Sequence, residues 1–231
     1  MFKTIPIPIL NDNYVWVIIY DNKTVVIDPG SASEVVDFHQ KNNLTISNIL
    51  ITHRHNDHID GVQELMGKYS PVVYAPYHQS FDFKYTVVKD KDVVTLFNDQ
   101  LSFEVIHVPG HTLEHVVYHG SKMLFCGDTL FSFGCGRVFE GTLEQMHKSL
   151  KKISKIDCLS KVYCTHEYTK NNLRFLSSYF KNDKLYQSNL KKLENIAITV
   201  PSLLKDELEF NPFLNSNLDD FKAIRKAKDL F

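Results

Sequence analysis

The stretch Ile51-Thr52-His53-Arg54-His55-Asn56-Asp57-His58-Ile59-Asp60-Gly61 sets three histidines and an aspartate within six positions, directly behind the apolar run at 46–51. An α/β sheet presents its binding loops at strand ends of this kind. His53 and His55 form an i, i+2 pair that could face one side, and Asp57 and His58 follow on the turn into a helix. Neutral imidazole and carboxylate are ligands for zinc, iron or manganese, and two such groups offset by a turn suit two neighbouring metals. A polar surface loop that happens to be histidine-rich is the bland alternative. The density of the motif and its anchoring behind a strand argue against it.

Working outward, three more strand-like runs end in possible ligands. Residues 101–108 lead into Pro109-Gly110-His111-Thr112, 123–126 into Gly127-Asp128-Thr129, and 161–164 into Thr165-His166-Glu167-Tyr168. A lone His or Asp after a strand is more often a cap or a satisfied polar group. Four strand ends that each deliver a metal-type ligand are a different matter, because they would converge on one edge of a sheet sandwich.

The rest of the first 168 residues supplies the sandwich. Residues 14–20 and 23–27 are β-branched and aromatic runs around the turn Asp21-Asn22, and read as a hairpin of buried strands. Asp28-Pro29-Gly30 stops the second strand, and 33–42 fits a helix that Ser31 or Ser33 could cap. A helix is expected near 59–68, and short strands at 72–75, 85–88 and 116–119. Strands alternating with short helices indicate an α/β layered domain with helices outside mixed sheets. From Thr169 onward Leu, Lys, Asn, Glu and Phe dominate, with apolar residues at helical spacing (Leu173, Leu176, Phe180; Leu190, Leu193, Ile196). Residues 169–231 are therefore expected to form a helical unit that leans on the first domain, since a small helical unit buries too little on its own.

Composition narrows the function classes. With 43% hydrophobic and 23% charged residues over 231 positions, the chain has the make-up of a globular protein with a real core. Twenty-six Lys plus Arg against 27 Asp plus Glu give a net charge of −1, which argues against a nucleic-acid partner. The apolar start carries two prolines and no small-residue cleavage site, a poor signal peptide, and no run reaches the ~18–20 residues of a membrane span. Cys126, Cys135, Cys158 and Cys164 form no C-x-x-C pair, which suits a reduced, cytoplasmic chain. Among the 11 histidines, His39, His78, His107, His119 and His147 read as surface or hydrogen-bonded groups, while His115 and Asp28 are placed to support metal ligands. Cys126 and Cys135 read as small apolar fillers.

The T-H-x-H-x-D-H motif at 52–58, P-G-H-T at 109–112, G-D-T at 127–129 and the later His166 resemble the metallo-β-lactamase superfamily. Within it the chain resembles the glyoxalase II (hydroxyacylglutathione hydrolase) family. That likeness extends to Asn13-Tyr14, Asp28-Pro29-Gly30, Gly134 through Thr142, His166-Glu167-Tyr168-Thr169, Asn171-Asn172-Leu173, Asn211-Pro212-Phe213, Arg225 and Lys228-Asp229. The metal motif identifies only the superfamily; the middle and C-terminal motifs narrow it to the thioesterase.

The resemblance implies a four-layer αββα sandwich, residues 1–168, with a helical substrate-binding domain at 169–231. It implies that His53, His55 and His111 hold one divalent metal, that Asp57, His58 and His166 hold a second, and that Asp128 bridges them. Zinc is the first expectation, with iron or manganese as alternatives. A hydroxide held at the metals by Asp128, Asp57 and His58 would attack an S-(2-hydroxyacyl)glutathione thioester, turning S-D-lactoylglutathione into glutathione and D-lactate, the second step of methylglyoxal detoxification. Arg137, Phe139, His166, Tyr168, Arg225 and Lys228 would contact the substrate. Arg225 and Lys228 lie i, i+3 on one helix face, although without the resemblance they read sooner as cations complementing a helix C-terminus. Asp60 and Glu114 depart from the family pattern and touch no expected ligand, and Phe139 stands where some members have Tyr. A monomer is expected, with a small-molecule glutathione thioester as its only partner, and no nucleic acid or membrane. The competing readings are another hydrolase of the superfamily, a persulfide dioxygenase with one iron, or a non-catalytic metal-stabilised module.

Overall fold

A computed structural model of the chain describes residues 2–181 and 183–231. Sheet one runs in sequence order: β1 (Lys3–Ile9), β2 (Asn13–Tyr20), β3 (Lys23–Ile27), β4 (Thr45–Leu50), β5 (Val72–Pro76) and β6 (Thr86–Val88). Its first three strands are antiparallel and β3 to β6 are parallel. Helices α1 (Ser33–Lys41), α2 (Asn56–Ile59) and α3 (Val62–Tyr69) lie in its crossovers. Sheet two contains β7 (Val93–Leu96), β8 (Leu101–His107), β9 (Val116–Gly120) and β10 (Met123–Gly127). The small hairpin β11 (Leu130–Phe131) and β12 (Gly134–Cys135) follows, then α4 (Leu143–Ile153) and β13 (Lys161–Cys164), which pairs parallel to β10. The chain closes with α5 (Thr169–Tyr179), α6 (Lys184–Leu193), β14 (Ser202–Leu203), α7 (Leu204–Phe210), α8 (Pro212–Asn215) and α9 (Leu218–Asp229).

The two-residue period of β2 to β4 builds two cores at once. Trp16, Ile18, Val25, Ile27 and Leu50 face sheet two and pack with Phe103, Val105, Tyr118 and Phe125. Val15, Val17, Val26, Ile49 and Ile51 face the other way, onto Val35 and Val36 of α1 and Val62 and Leu65 of α3. Each such side chain, taken fully out of water, stabilises by about 1.5–3 kcal/mol. This is the expected sandwich with outer helices. No helix is long and apolar enough to cross a membrane, among the described residues.

Strand direction explains why the ligand loops meet. The parallel strands β3 and β4 end on one edge, and β2, antiparallel to β3, begins there. In sheet two β8 and β10 are both antiparallel to β9, and β13 is parallel to β10, so all three deliver their C-terminal ends to one edge.

Several local features were not foreseen or need correction. The proline-bearing start is an edge strand, β1, with Pro6 opposite Trp16 and Pro8 opposite Tyr14; an edge strand tolerates the missing N–H groups. Neither Ser31 nor Ser33 caps α1: its N-cap is Ala32, and both serine hydroxyls are engaged by the Glu34 carboxylate. The helix expected near 59–68 is broken at Gly61 into α2 and α3, where the Gly61 amide donates to the Pro29 carbonyl at 2.9 Å instead of into a helix, and a Cβ on it would sit 2.6 Å from the Ser31 carbonyl carbon. The helical tail is also not purely helical, since β14 pairs antiparallel with β13 at the edge of sheet two. Leu173, Leu176, Leu204, Phe213, Phe221 and Ile224 share one core with that sheet.

Candidate metal centre

His53 Nε2 and His111 Nε2 each lie 3.0 Å from His55 Nδ1. Asp57 Oδ2 lies 3.6 Å from His58 Nε2 and 3.4 Å from His166 Nε2. Asp128 stands between the groups, with Oδ1 at 3.4 Å from His58 and Oδ2 at 3.4 Å from His111 and 3.3 Å from His166. All seven expected ligands are thus brought to one point, and His53, His55 and His111, or Asp57, His58 and His166, each gather within the span of one ion.

The residues fit a divalent cation on two counts. His58 Nε2 and Asp128 Oδ1 are buried with no hydrogen-bond partner among the described residues, a costly arrangement unless an ion completes it. The electrostatics agree. Burial opposes a charge on His58, yet Asp128 and Asp28 carry its pKa up to about 10. Burial likewise opposes a charge on His166, and Asp128 and then Asp57 carry it up to about 12. Burial would also favour the acid forms of Asp57 and Asp128, but the neighbouring histidines hold both carboxyls below the usual range. The field of the pocket calls for positive charge, which protons or metals can satisfy. His53 and His55 are pushed the other way, chiefly by burial, and stay neutral imidazoles ready to coordinate.

Each ring nitrogen turned away from the cluster is anchored where the fold allows. His53 Nδ1 meets Thr52 Oγ1 at 3.1 Å, and His111 Nδ1 donates to the Arg137 carbonyl at 2.8 Å. His58 Nδ1 lies 3.0 Å from Asp28 Oδ2, and His166 Nδ1 lies 2.8 Å from Asp12 Oδ1. Asp28 also accepts from the Thr52 amide and hydroxyl, and its own φ of 52° turns the carboxylate towards the cluster. His115 stacks on His53 with centroids 4.6 Å apart and accepts from the Asp128 amide at 3.2 Å. Gly127 lets that loop pass: its φ is 48°, and a Cβ there would lie 2.4 Å from Thr52 Oγ1. Gly136 is more than a turn glycine, since a Cβ on it would lie 1.8 Å from the Asp128 carbonyl oxygen.

Beside the cluster lies a basic group. The Phe139 ring, 59% exposed, stands 5.2 Å from His111 and 5.8 Å from His55, and Arg137 lies over it at 5.5 Å. Arg137 Nε is 3.8 Å from Asp229 Oδ1, to which Arg225 also donates at 2.9 Å. Arg225 is 4% exposed, and its Nη1 donates to the Cys135 carbonyl at 2.8 Å, so the structure does not set it free at the surface; its Nε lacks a partner among the described residues. Lys228 Nζ also has none among the described residues, sits over the Phe175 and Phe231 rings at 5.0 and 5.1 Å, and burial with Arg225 nearby pulls its pKa down to about 8. Tyr168 stacks on His166 at 4.6 Å.

The Metallo-beta-lactamase superfamily model matches residues 10–166, and the model for the hydroxyacylglutathione hydrolase C-terminus matches 167–231. A hydroxyacylglutathione hydrolase of Aliivibrio fischeri is 42% identical over all of both chains, and one of Aeromonas salmonicida is 42% identical over 96% of this chain and 89% of its own length. The chain belongs to the hydroxyacylglutathione hydrolase family of that superfamily. Among solved structures, ETHE1 from Myxococcus xanthus aligns with a TM-score of 0.75 over 98% of this chain and 90% of its own at 22% identity, which speaks for the fold alone.

Some working residues of this family member carry no sequence signal strong enough to find them. Asp12 sits in a turn whose Asp and Asn read as turn chemistry. Glu114, a departure from the family pattern, touches no ligand side chain, yet it accepts from the Arg54 amide at 3.0 Å and so clamps the backbone between His53 and His55. Arg54 reaches on to Glu140, whose carboxylate accepts from the Leu113 amide, which ties the metal loop to the loop carrying Phe139. His39, His78, His107, His119 and His147 bond to hydroxyls or backbone carbonyls away from the cluster.

Proposed function

We propose that the protein hydrolyses S-(2-hydroxyacyl)glutathione thioesters, S-D-lactoylglutathione giving glutathione and D-lactate, as the second step of methylglyoxal removal. The observation that carries this is the convergence of seven ligand side chains beside a loop that leads, through Phe139 and Arg137, to Asp229 and the Arg225 paired with it. Two divalent ions, zinc before iron or manganese, would be held by His53, His55 and His111 and by Asp57, His58 and His166, with Asp128 shared. The full second set favours two ions over one. Bound there, they supply Lewis acidity, bringing the pKa of a water from ~15.7 towards ~7 and drawing charge from the thioester carbonyl.

The chain's own residues do the rest. Water adds to the thioester carbonyl carbon, the C–S bond breaks, and the departing thiolate, of pKa about 8.5, needs no strong acid. The chain offers no thiol nucleophile at the site: burial raises the pKa of Cys126 and Cys135, and that of Cys164 to about 12, so they stay protonated. Glutathione carries two carboxylates, and Arg137, Arg225 and Lys228 are the cations suited to them. In this reading Tyr168, stacked on the His166 ring, joins Arg137 and Phe139 in contacting the glutathione part, and Phe139 spans from the ligands to Arg137. Residues 1–168 form the catalytic part and 169–231 the substrate-gripping part. One chain carries the whole ligand set, so a monomer suffices, and four free cysteines suit the cytoplasm. The test is turnover of S-D-lactoylglutathione beside a β-lactam and a simple acyl thioester. Preference for the glutathione thioester is expected; a chain that turns over the β-lactam faster loses this assignment.

A further inference from the structure

The two ligand sets are anchored by different chemistry. In the His53, His55, His111 set the outward nitrogens of His53 and His111 meet neutral oxygens, the Thr52 hydroxyl and the Arg137 carbonyl. In the Asp57, His58, His166 set both outward histidine nitrogens meet carboxylates, Asp28 and Asp12, and Asp57 Oδ2 accepts from Asn13 Nδ2 at 2.8 Å. All three partners come from the first 28 residues. Two of them, Asp12 and Asn13, sit side by side where the turn after β1 enters β2, and they hold ligands from opposite ends of the ligand-bearing sequence, Asp57 and His166. Backbone contacts zip this turn to the last ligand loop: Asn13 bridges His166, Glu167 N donates to the Asp12 carbonyl at 2.8 Å, and Tyr14 N donates to the Thr165 carbonyl at 2.7 Å. Glu167 then accepts from the Tyr14 hydroxyl at 2.9 Å.

A carboxylate that accepts from a coordinating imidazole fixes its orientation and raises its basicity, and losing such a partner typically costs 10–100-fold in metal affinity. We propose that Asp12 and Asn13 are positioning residues that set the affinity of the second metal, the one held by Asp57, His58 and His166, while leaving the first to its neutral supports. This rests on the two-ion reading above. It makes occupancy of the second position depend on the β1–β2 turn, a segment that supplies no ligand.

The test uses the full chain, loaded with zinc, dialysed against graded chelator and assayed for zinc per chain at each step, with the thermal melt of the loaded protein recorded alongside. Wild type is expected to saturate at two ions. Asp12→Ala and Asn13→Ala should release one ion at a 10–100-fold lower chelator strength and keep the other at its wild-type strength. Leu10→Ser, in the same turn and 60% exposed, serves as the control for a substitution in that turn and should release like wild type. Release of both ions together in the Asp12 and Asn13 variants, no change from wild type in either, or the same selective loss in Leu10→Ser would each overturn the inference. A wild-type chain that saturates at one ion would instead overturn the two-ion reading, and this inference with it.

Discussion

In the strand-rich part of the chain seven side chains reach one point from four strand ends, each short and mostly buried, whereas the helical part brings two long cations to the same neighbourhood from one helix. The difference follows from what each job requires. Chelating an ion needs several small ligands fixed within a few ångströms, and strand ends on one sheet edge give that rigidity. Gripping a carboxylate needs reach. Beside the grip proposed for it, the helical part holds the β11–β12 hairpin that follows Asp128: Asn211 Nδ2 donates to the carbonyls of Phe131 and Gly134, Asn172 Nδ2 to that of Ser132, and Arg225 to that of Cys135. Gly136, just past that hairpin, bonds back to Thr129, and the next carbonyl, Arg137, anchors His111.

Substitutions can break or sharpen this comparison. The largest effect is expected from Asp128→Ala, which removes the shared ligand: thioesterase activity should fall by at least about 10²–10³-fold together with metal content, measured by turnover and elemental analysis. A variant that kept both would break the cradle assignment. Arg225→Ala combined with Lys228→Ala should raise KM for the glutathione thioester by about 10–100-fold, and for a simple acyl thioester much less. Equal changes for both substrates would mean that the helical part only braces the fold. Asn211→Ala tests the bracing itself. It strips donors from two carbonyls and from buried Glu207, so a loss of about 1–3 kcal/mol in denaturant unfolding is expected, with metal content unchanged.

The smallest effect concerns pH. Lys228, its pKa lowered to about 8 by burial and by Arg225, is charged below that pH and neutral above it. The hold on a carboxylate proposed for it should therefore weaken as pH rises through 8, and KM should climb a few-fold there, whereas Lys228→Arg, always charged, should flatten the rise. A wild-type KM that stays level from pH 7 to 9 would remove Lys228 from the grip.

How much of this was legible in the sequence follows the same division. His53, His55, Asp57 and His58 announce themselves because one loop carries them all, and His111, Asp128 and His166 because each follows a readable strand. Asp12 stayed hidden because Asp and Asn are also what a turn needs. The strand β1 was masked by Pro6 and Pro8, whose place on a sheet edge no local pattern reveals, and β14 by its two-residue length among helices. The positions of Arg225 and Lys228 on α9 were readable. That one guanidinium would be spent on the Cys135 carbonyl and Asp229 was not, because both partners depend on how the helix docks.

The most direct test of the two-ion thioesterase is to strip the full chain of metal and titrate zinc back while following S-D-lactoylglutathione hydrolysis. Activity is expected to rise to a plateau at two ions per chain. Full activity at one ion, or no turnover of this substrate with two bound, would contradict it.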